Sequence, residues 1–228
     1  MIALGVTWFF VFLFSTTLHE AAHAWVALRL GDPTAYEGGQ VSLDPLPHVR
    51  REPIGTVVVP IVSFLLGGWM IGWASAPYDP EWAERHPRRA AWMALAGPAA
   101  NLLLVLVAAA AVWLGLWAGV FVEPHRVRMS MVTAAVAPGL PECLARTVSL
   151  LFSLNLVLVV FNLIPLPPLD GSGALPLLMH EETARRYRAV VARVGVMGLF
   201  VAWQVFDPLF HPIFLATVNL LYPGAGFH

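Results

Sequence analysis

Apolar residues come in long runs along this chain, separated by short polar stretches. Ile2 to Leu18 is almost wholly apolar, and helix-compatible sequence continues to Leu30, where Gly31-Asp32-Pro33 ends it. Ile54 to Ala74 is a second apolar run, broken by Gly55, Pro60, Gly67, Gly68 and Gly72. Ala90 to Val122 is a third, interrupted by Gly97-Pro98 and Asn101. Leu144 to Ile164 is a fourth and leads into Pro165-Leu166-Pro167-Pro168-Leu169-Asp170-Gly171. Ala189 to Phe206 reads as another helix, with Arg193 near enough to its start to snorkel, and Leu209 to Tyr222 as a short final one, tilted or half inserted. Between the first two runs, residues 31–53 are polar and rich in Gly and Pro. One alternating stretch there, Gln40-Val41-Ser42-Leu43, predicts a strand.

Runs of this length suit helices that cross a bilayer, and the lack of alternation excludes a membrane β-barrel. The expected fold is therefore an all-α polytopic membrane protein with about five to six membrane segments. One of them, 54–74, is expected to be re-entrant, and a short β-strand or hairpin loop is expected near 39–48. Residues 1–228 read as a single integral-membrane domain, with a core over 1–175 and peripheral C-terminal helices over 185–222.

Composition sharpens this picture. Of 228 residues 58% are hydrophobic and 12% charged, about half the charge fraction of a soluble domain. A net charge of −1 gives nucleic acid no footing. Cys143 is the only cysteine, so an internal disulfide is impossible. Met1 leads into apolar sequence with no basic stretch and no small-residue cleavage site, which predicts a retained first helix rather than a signal peptide.

The candidate chemistry starts at His19-Glu20-Ala21-Ala22-His23. Positions four apart share one helix face, about 6 Å apart along the axis, so both imidazoles can reach one metal. Glu20 beside them is placed to take a proton from water rather than to bind the metal. The five-residue pattern alone is weak. Inside an apolar helix it weighs more, because unpaired ionisable groups there cost several kcal/mol. Two histidines leave a zinc site one protein ligand short. His48, His86, His125, His180, His211 and His228 lie in or near loops and tails, where a solvated histidine is the plainer reading. Asp170 follows an apolar helix on a proline-stiffened segment, and on its own a helix cap or a turn Asp-Gly is the plainer reading of it.

The motifs carry a family resemblance. His19 to His23, together with Phe161-Asn162-Leu163-Ile164-Pro165-Leu166-Pro167-Pro168-Leu169-Asp170-Gly171, resembles the paired HExxH and Asn-Pro-Asp-Gly signature of site-2 proteases. Ala96-Gly97-Pro98-Ala99-Ala100-Asn101 resembles the third motif of that family. Gly39 to His48 and the stretch from Gly72 resemble a small bacterial subgroup, although Gln40, Asp44, Pro47 and Gly173 depart from its pattern. The resemblance implies one zinc ion per chain held by His19, His23 and Asp170, with Glu20 as general base and then proton donor. It also implies an integral membrane protein of the bacterial plasma membrane that cuts transmembrane segments of other proteins. Asn101 and Asn162 are candidates for contact with the substrate backbone or the oxyanion, or for interhelical glue. The stretch Gln40–Leu43 is a candidate for pairing with an unwinding substrate.

The shared metal restricts topology. Both ligand motifs lie toward the C-terminal ends of their runs, so the two helices must point the same way, with an odd number of crossings between them. Of the two intervening runs, the Gly- and Pro-broken 54–74 is the better hairpin. On that topology Arg29, Arg50, Arg51, Arg85, Arg88, Arg89, Arg185, Arg186 and Arg188 share one face, against Arg126, Arg128 and Arg146. The bias predicts a cytoplasmic active site in the lipid bilayer. An inactive homologue that binds or chaperones membrane proteins is the alternative, although it has no need of Glu20. A metal transporter would call for a polar path along several helices, and a protease of prenylated tails would not explain 162–171.

Overall fold

The computed structural model describes residues 2–228, the side chains of Glu181 and Ala192 excepted. Four of its helices are long and apolar enough to cross a membrane: α1 (Ile2–Leu30), α6 (Pro87–Trp117), α7 (Leu140–Asn162) and α10 (Met197–Leu221). Shorter helices cap the bundle: α2 (Thr34–Glu37), α3 (Pro45–Arg51), α5 (Pro80–Arg85), α8 (Asp170–Ala174) and α9 (Glu181–Val194). The fold is all-α and polytopic, as the run lengths predict.

The second apolar run is a hairpin. A π-helical turn, Ile54–Val58, leads into α4 (Val59–Gly67), and Gly68 ends that helix with a positive φ of 75°. The chain then returns in extended form beside its own ascent. The Trp73 amide donates to the Gly55 carbonyl at 3.1 Å, and Ser75 Oγ donates to Glu52 Oε1 at 2.8 Å. Gly55 and Gly72 make this closeness possible, since a Cβ on Gly55 would meet the Trp73 backbone and one on Gly72 would meet the Gly55 carbonyl and Phe12. Both feet of the hairpin therefore stand at the same end of the bundle, leaving α6 as the one helix of membrane-crossing length between α1 and α7.

Two expectations fail here. Gln40–Leu43 is not a strand. The Gln40 amide is drawn back onto the Ala35 carbonyl at 2.9 Å, and Asp44 caps α3 by accepting from the Leu46 amide at 2.9 Å, with Pro45 at the first helical position. Among the described residues the sheet consists of β1 (Phe121–Val122) paired antiparallel with β2 (Ala134–Ala135), in the loop between α6 and α7. The division of the C-terminal region also moves. Residues 189–206 are not one helix: the break comes at Gly195, where φ is +51°, and residues 209–222 are not a separate half-helix. Pro208 and Pro212 lie inside the continuous α10.

Two apolar clusters hold the spans together. Val105, Ala108 and Val112 of α6, Phe152, Leu156 and Val160 of α7, and Phe210, Phe214 and Val218 of α10 form one. Trp8, Val11 and Phe12 of α1 pack with Met70 of the hairpin and Leu150 and Leu154 of α7 in the other. A set of buried polar side chains on α1, α6 and α7 (Ser15, His19, Asn101 and Asn155) joins the same three helices.

Candidate metal centre

His19 and His23 are both buried on one face of α1, and Asp170 opens α8 just beyond α7. His19 Nε2 lies 3.0 Å from His23 Nε2 and 3.1 Å from Asp170 Oδ2, and His23 Nε2 lies 3.4 Å from the same oxygen. Tetrahedral zinc with bonds of about 2.0–2.2 Å sets its ligand atoms roughly 3.3–3.6 Å apart. The three edges are close to that figure.

The hydrogen bonds behind these atoms fix what they offer. The Leu151 carbonyl can only accept. Asn155 Nδ2 donates to it at 2.8 Å and to Ser15 Oγ at 2.9 Å. That leaves Asn155 Oδ1 to accept from Asn101 Nδ2 at 2.7 Å, so the Asn101 oxygen faces His19 Nδ1. His19 Nδ1 must then carry the proton. His23 Nδ1 donates to the Met93 carbonyl at 2.7 Å and is protonated for the same reason. In the neutral rings both Nε2 atoms therefore present lone pairs toward Asp170. Asp170 Oδ2 is sealed from solvent and, despite its nearness to both rings, makes no well-aligned hydrogen bond. Three facing acceptors repel one another unless a cation sits among them. The residues fit a metal ion, and they are a group of His, Asp, Glu or Cys side chains close enough to share one.

The α6 motif accounts for this closeness. A Cβ on Gly97 would fall against Nε2 of both histidines, so only glycine lets α6 lie flush with the ligands. Pro98 has no N–H for the Ala94 carbonyl, and one residue earlier the Met93 carbonyl accepts from His23. Asn101, one turn beyond Gly97, is fully buried and has both ends of its amide engaged.

Glu20 is buried beside His19 and makes no side-chain hydrogen bond or ion pair among the described residues. Asn162, the last residue of α7, is part-buried and likewise makes no side-chain hydrogen bond among them. Asn155 and Ser15 were not expected from the sequence. The available signal was a fully buried amide and hydroxyl inside otherwise apolar spans, where each requires a partner.

Comparison with known proteins gives the family. The model of peptidase family M50 matches residues 7–202. YwhC of Bacillus subtilis is 35% identical over 205 residues, covering 85% of this chain and 82% of its own length. Rip2 of Mycobacterium tuberculosis strain H37Rv is 30% identical over 216 residues, covering 94% of this chain and 72% of its own. Rip2 of Mycolicibacterium smegmatis is 31% identical over 173 residues, covering 76% of this chain and 57% of its own. Each carries a provisional zinc-metalloprotease name. No solved structure matches the chain. With the match spanning most of its length and three relatives bearing metalloprotease names, the chain belongs to peptidase family M50, the site-2 protease family.

Proposed function

We propose that this protein is an intramembrane zinc endopeptidase that cleaves transmembrane segments of other membrane proteins. The observation that carries the reading is the convergence of His19, His23 and Asp170 as three lone-pair donors within a bundle of membrane-length helices. His19, His23 and Asp170 hold one zinc ion, which when bound polarises the scissile carbonyl and acidifies water. Glu20 takes the proton of the attacking water and passes it to the departing amide nitrogen. The Asn101 amide is spent on His19 and Asn155, so its part is to orient His19 rather than to touch substrate. Asn162, whose side chain makes no hydrogen bond among the described residues, ends α7 eight residues before Asp170 and serves as the substrate or oxyanion contact. The arginine-rich end, and with it the active site, faces the cytoplasm of a bacterial plasma membrane.

The test is cleavage of a transmembrane reporter by the purified, zinc-loaded protein. Glu20→Gln should retain one zinc per chain and lose activity by roughly a hundred- to ten-thousand-fold, since it removes the base and not a ligand. Asp170→Ala should lose the zinc. A reporter that co-purifies uncut with wild-type protein carrying full zinc would favour the inactive binding homologue.

A further inference from the structure

An open cavity of about 560 Å³ lies at the arginine-rich end of the bundle, between α5, the start of α6, and α9. Arg85 and Arg88 line one side of it and Arg185 and Arg188 the other, with Glu84 as the one acidic lining residue among those described. We propose that this cavity binds the phosphate of an anionic phospholipid headgroup.

Charge makes the first argument. Among the described residues, four guanidinium groups and one carboxylate stand around one space. Chain segments about a hundred residues apart in sequence bring them together. Two arginines elsewhere are paired with acids, Arg186 with Glu182 at 2.9 Å and Arg146 with Glu142. Arg88 and Arg188 have no carboxylate partner among the described residues, and Arg85 reaches only as far as Asp79 at 3.6 Å. A cavity of similar size at the opposite end, about 530 Å³, has Arg128, Arg146 and Glu142 in its lining, and there the acid is already paired with Arg146. Like charges held around a space repel unless an anion fills it, and guanidinium groups match phosphate oxygens with paired N–H donors.

Position makes the second. The apolar part of α6 begins at Ala90, two residues after Arg88. Trp92, four residues on and so on the same face, is exposed, as indoles are at the boundary between headgroups and acyl chains. Pro87, Pro176, Met179 and Ala184 complete the lining. Cations beside an apolar floor at the end of a span suit a lipid, whose phosphate and first carbons need both surfaces. A free anion would use only the cations. Pro176 and Met179 closely follow Asp170 in the chain, so the occupant would brace the segment that delivers the third metal ligand.

Native mass spectrometry of the full chain, delipidated in neutral detergent, tests this with phosphatidylglycerol, phosphatidylcholine and inorganic phosphate as probes. Wild-type protein should retain phosphatidylglycerol at least about tenfold more tightly than phosphatidylcholine. The R88Q/R188Q double variant should weaken that binding roughly ten- to thirty-fold, given the attraction of each basic residue near an anionic surface. R88K/R188K keeps the charge and should stay within a few-fold of wild type, and R50Q/R51Q at the same end should do so as well. An equal loss in R50Q/R51Q would mean diffuse surface charge and overturn the site. Competition by inorganic phosphate as strong as by lipid would mean a soluble-anion site and overturn the lipid. Unchanged binding in R88Q/R188Q would remove the cavity from consideration. None of these variants touches the metal ligands, so a failed protease assay leaves this measurement standing.

Discussion

At the scale of single residues, the site depends on which ring nitrogen carries a proton. His19 can present Nε2 to a metal because the amide of Asn101 accepts its Nδ1 proton, and Asn101 is turned that way by Asn155. Two magnitudes separate a positioning role from simple glue. An interhelical hydrogen bond in a membrane contributes about 0.6 kcal/mol on average, whereas losing an outer-shell partner typically costs 10–100-fold in metal affinity. Asn155→Leu should therefore weaken zinc binding by at least about tenfold while thermal stability barely moves, as measured by competition with a zinc chelator and by thermal unfolding of the metal-free protein. Equal losses in both would return Asn155 to a packing role. Asn155 stood in the sequence as one polar residue in an apolar span, and nothing local says that it reads through Asn101 to His19. Asp170 was ambiguous for a similar reason. A turn aspartate and a ligand share one local sequence, and a resemblance separated them.

At the scale of elements, the hairpin was legible and its neighbours were not. Gly55, Pro60, Gly67, Gly68 and Gly72 weaken a single straight span, and the metal demanded an odd number of crossings, so two independent constraints gave one answer. Single cysteines at Glu52 and Glu84, in a Cys143→Ser background, should be labelled by an impermeant thiol reagent from the same side of the membrane; labelling from opposite sides would refute the hairpin. The strand expected at Gln40–Leu43 rested on four alternating residues alone. It lost to the Asp44 cap and Pro45, which start a helix immediately afterwards. The expected division within α10, between Phe206 and Leu209, falls at Asp207-Pro208, and proline breaks helices in water. In a bundle, Pro208 and Pro212 are tolerated, since neighbouring groups and local adjustment take up the freed carbonyls. Phe210, Phe214 and Val218 then pack the far half of that helix against α6 and α7.

For the whole molecule, the proposed ligands would act as a clamp between α1 and the segment beyond α7 once a metal is bound. A metal bound only by the folded chain at a free concentration about a thousand times its Kd stabilises that state by about 4 kcal/mol. For a chain of this size each kcal/mol moves Tm by about 2–4 °C. Chelation should therefore lower the Tm of the purified protein by roughly 8–16 °C, with recovery on adding zinc. Gly97→Ala should show no such response, because its methyl group would occupy the space beside both Nε2 atoms. A normal chelator shift in Gly97→Ala would mean that the metal sits elsewhere.

The wide separation of the ligands along the chain also sets an order of events during synthesis. His19, Glu20 and His23 are made with the first span, and the ribosome adds 146 further residues before it reaches Asp170. At roughly 5–20 residues per second that interval is about 7–30 s. Throughout it the nascent chain carries the proposed base and two of the three proposed ligands. On the proposed function it should not cut a neighbouring helix over that interval, because the ligand proposed to complete the centre has not yet been made.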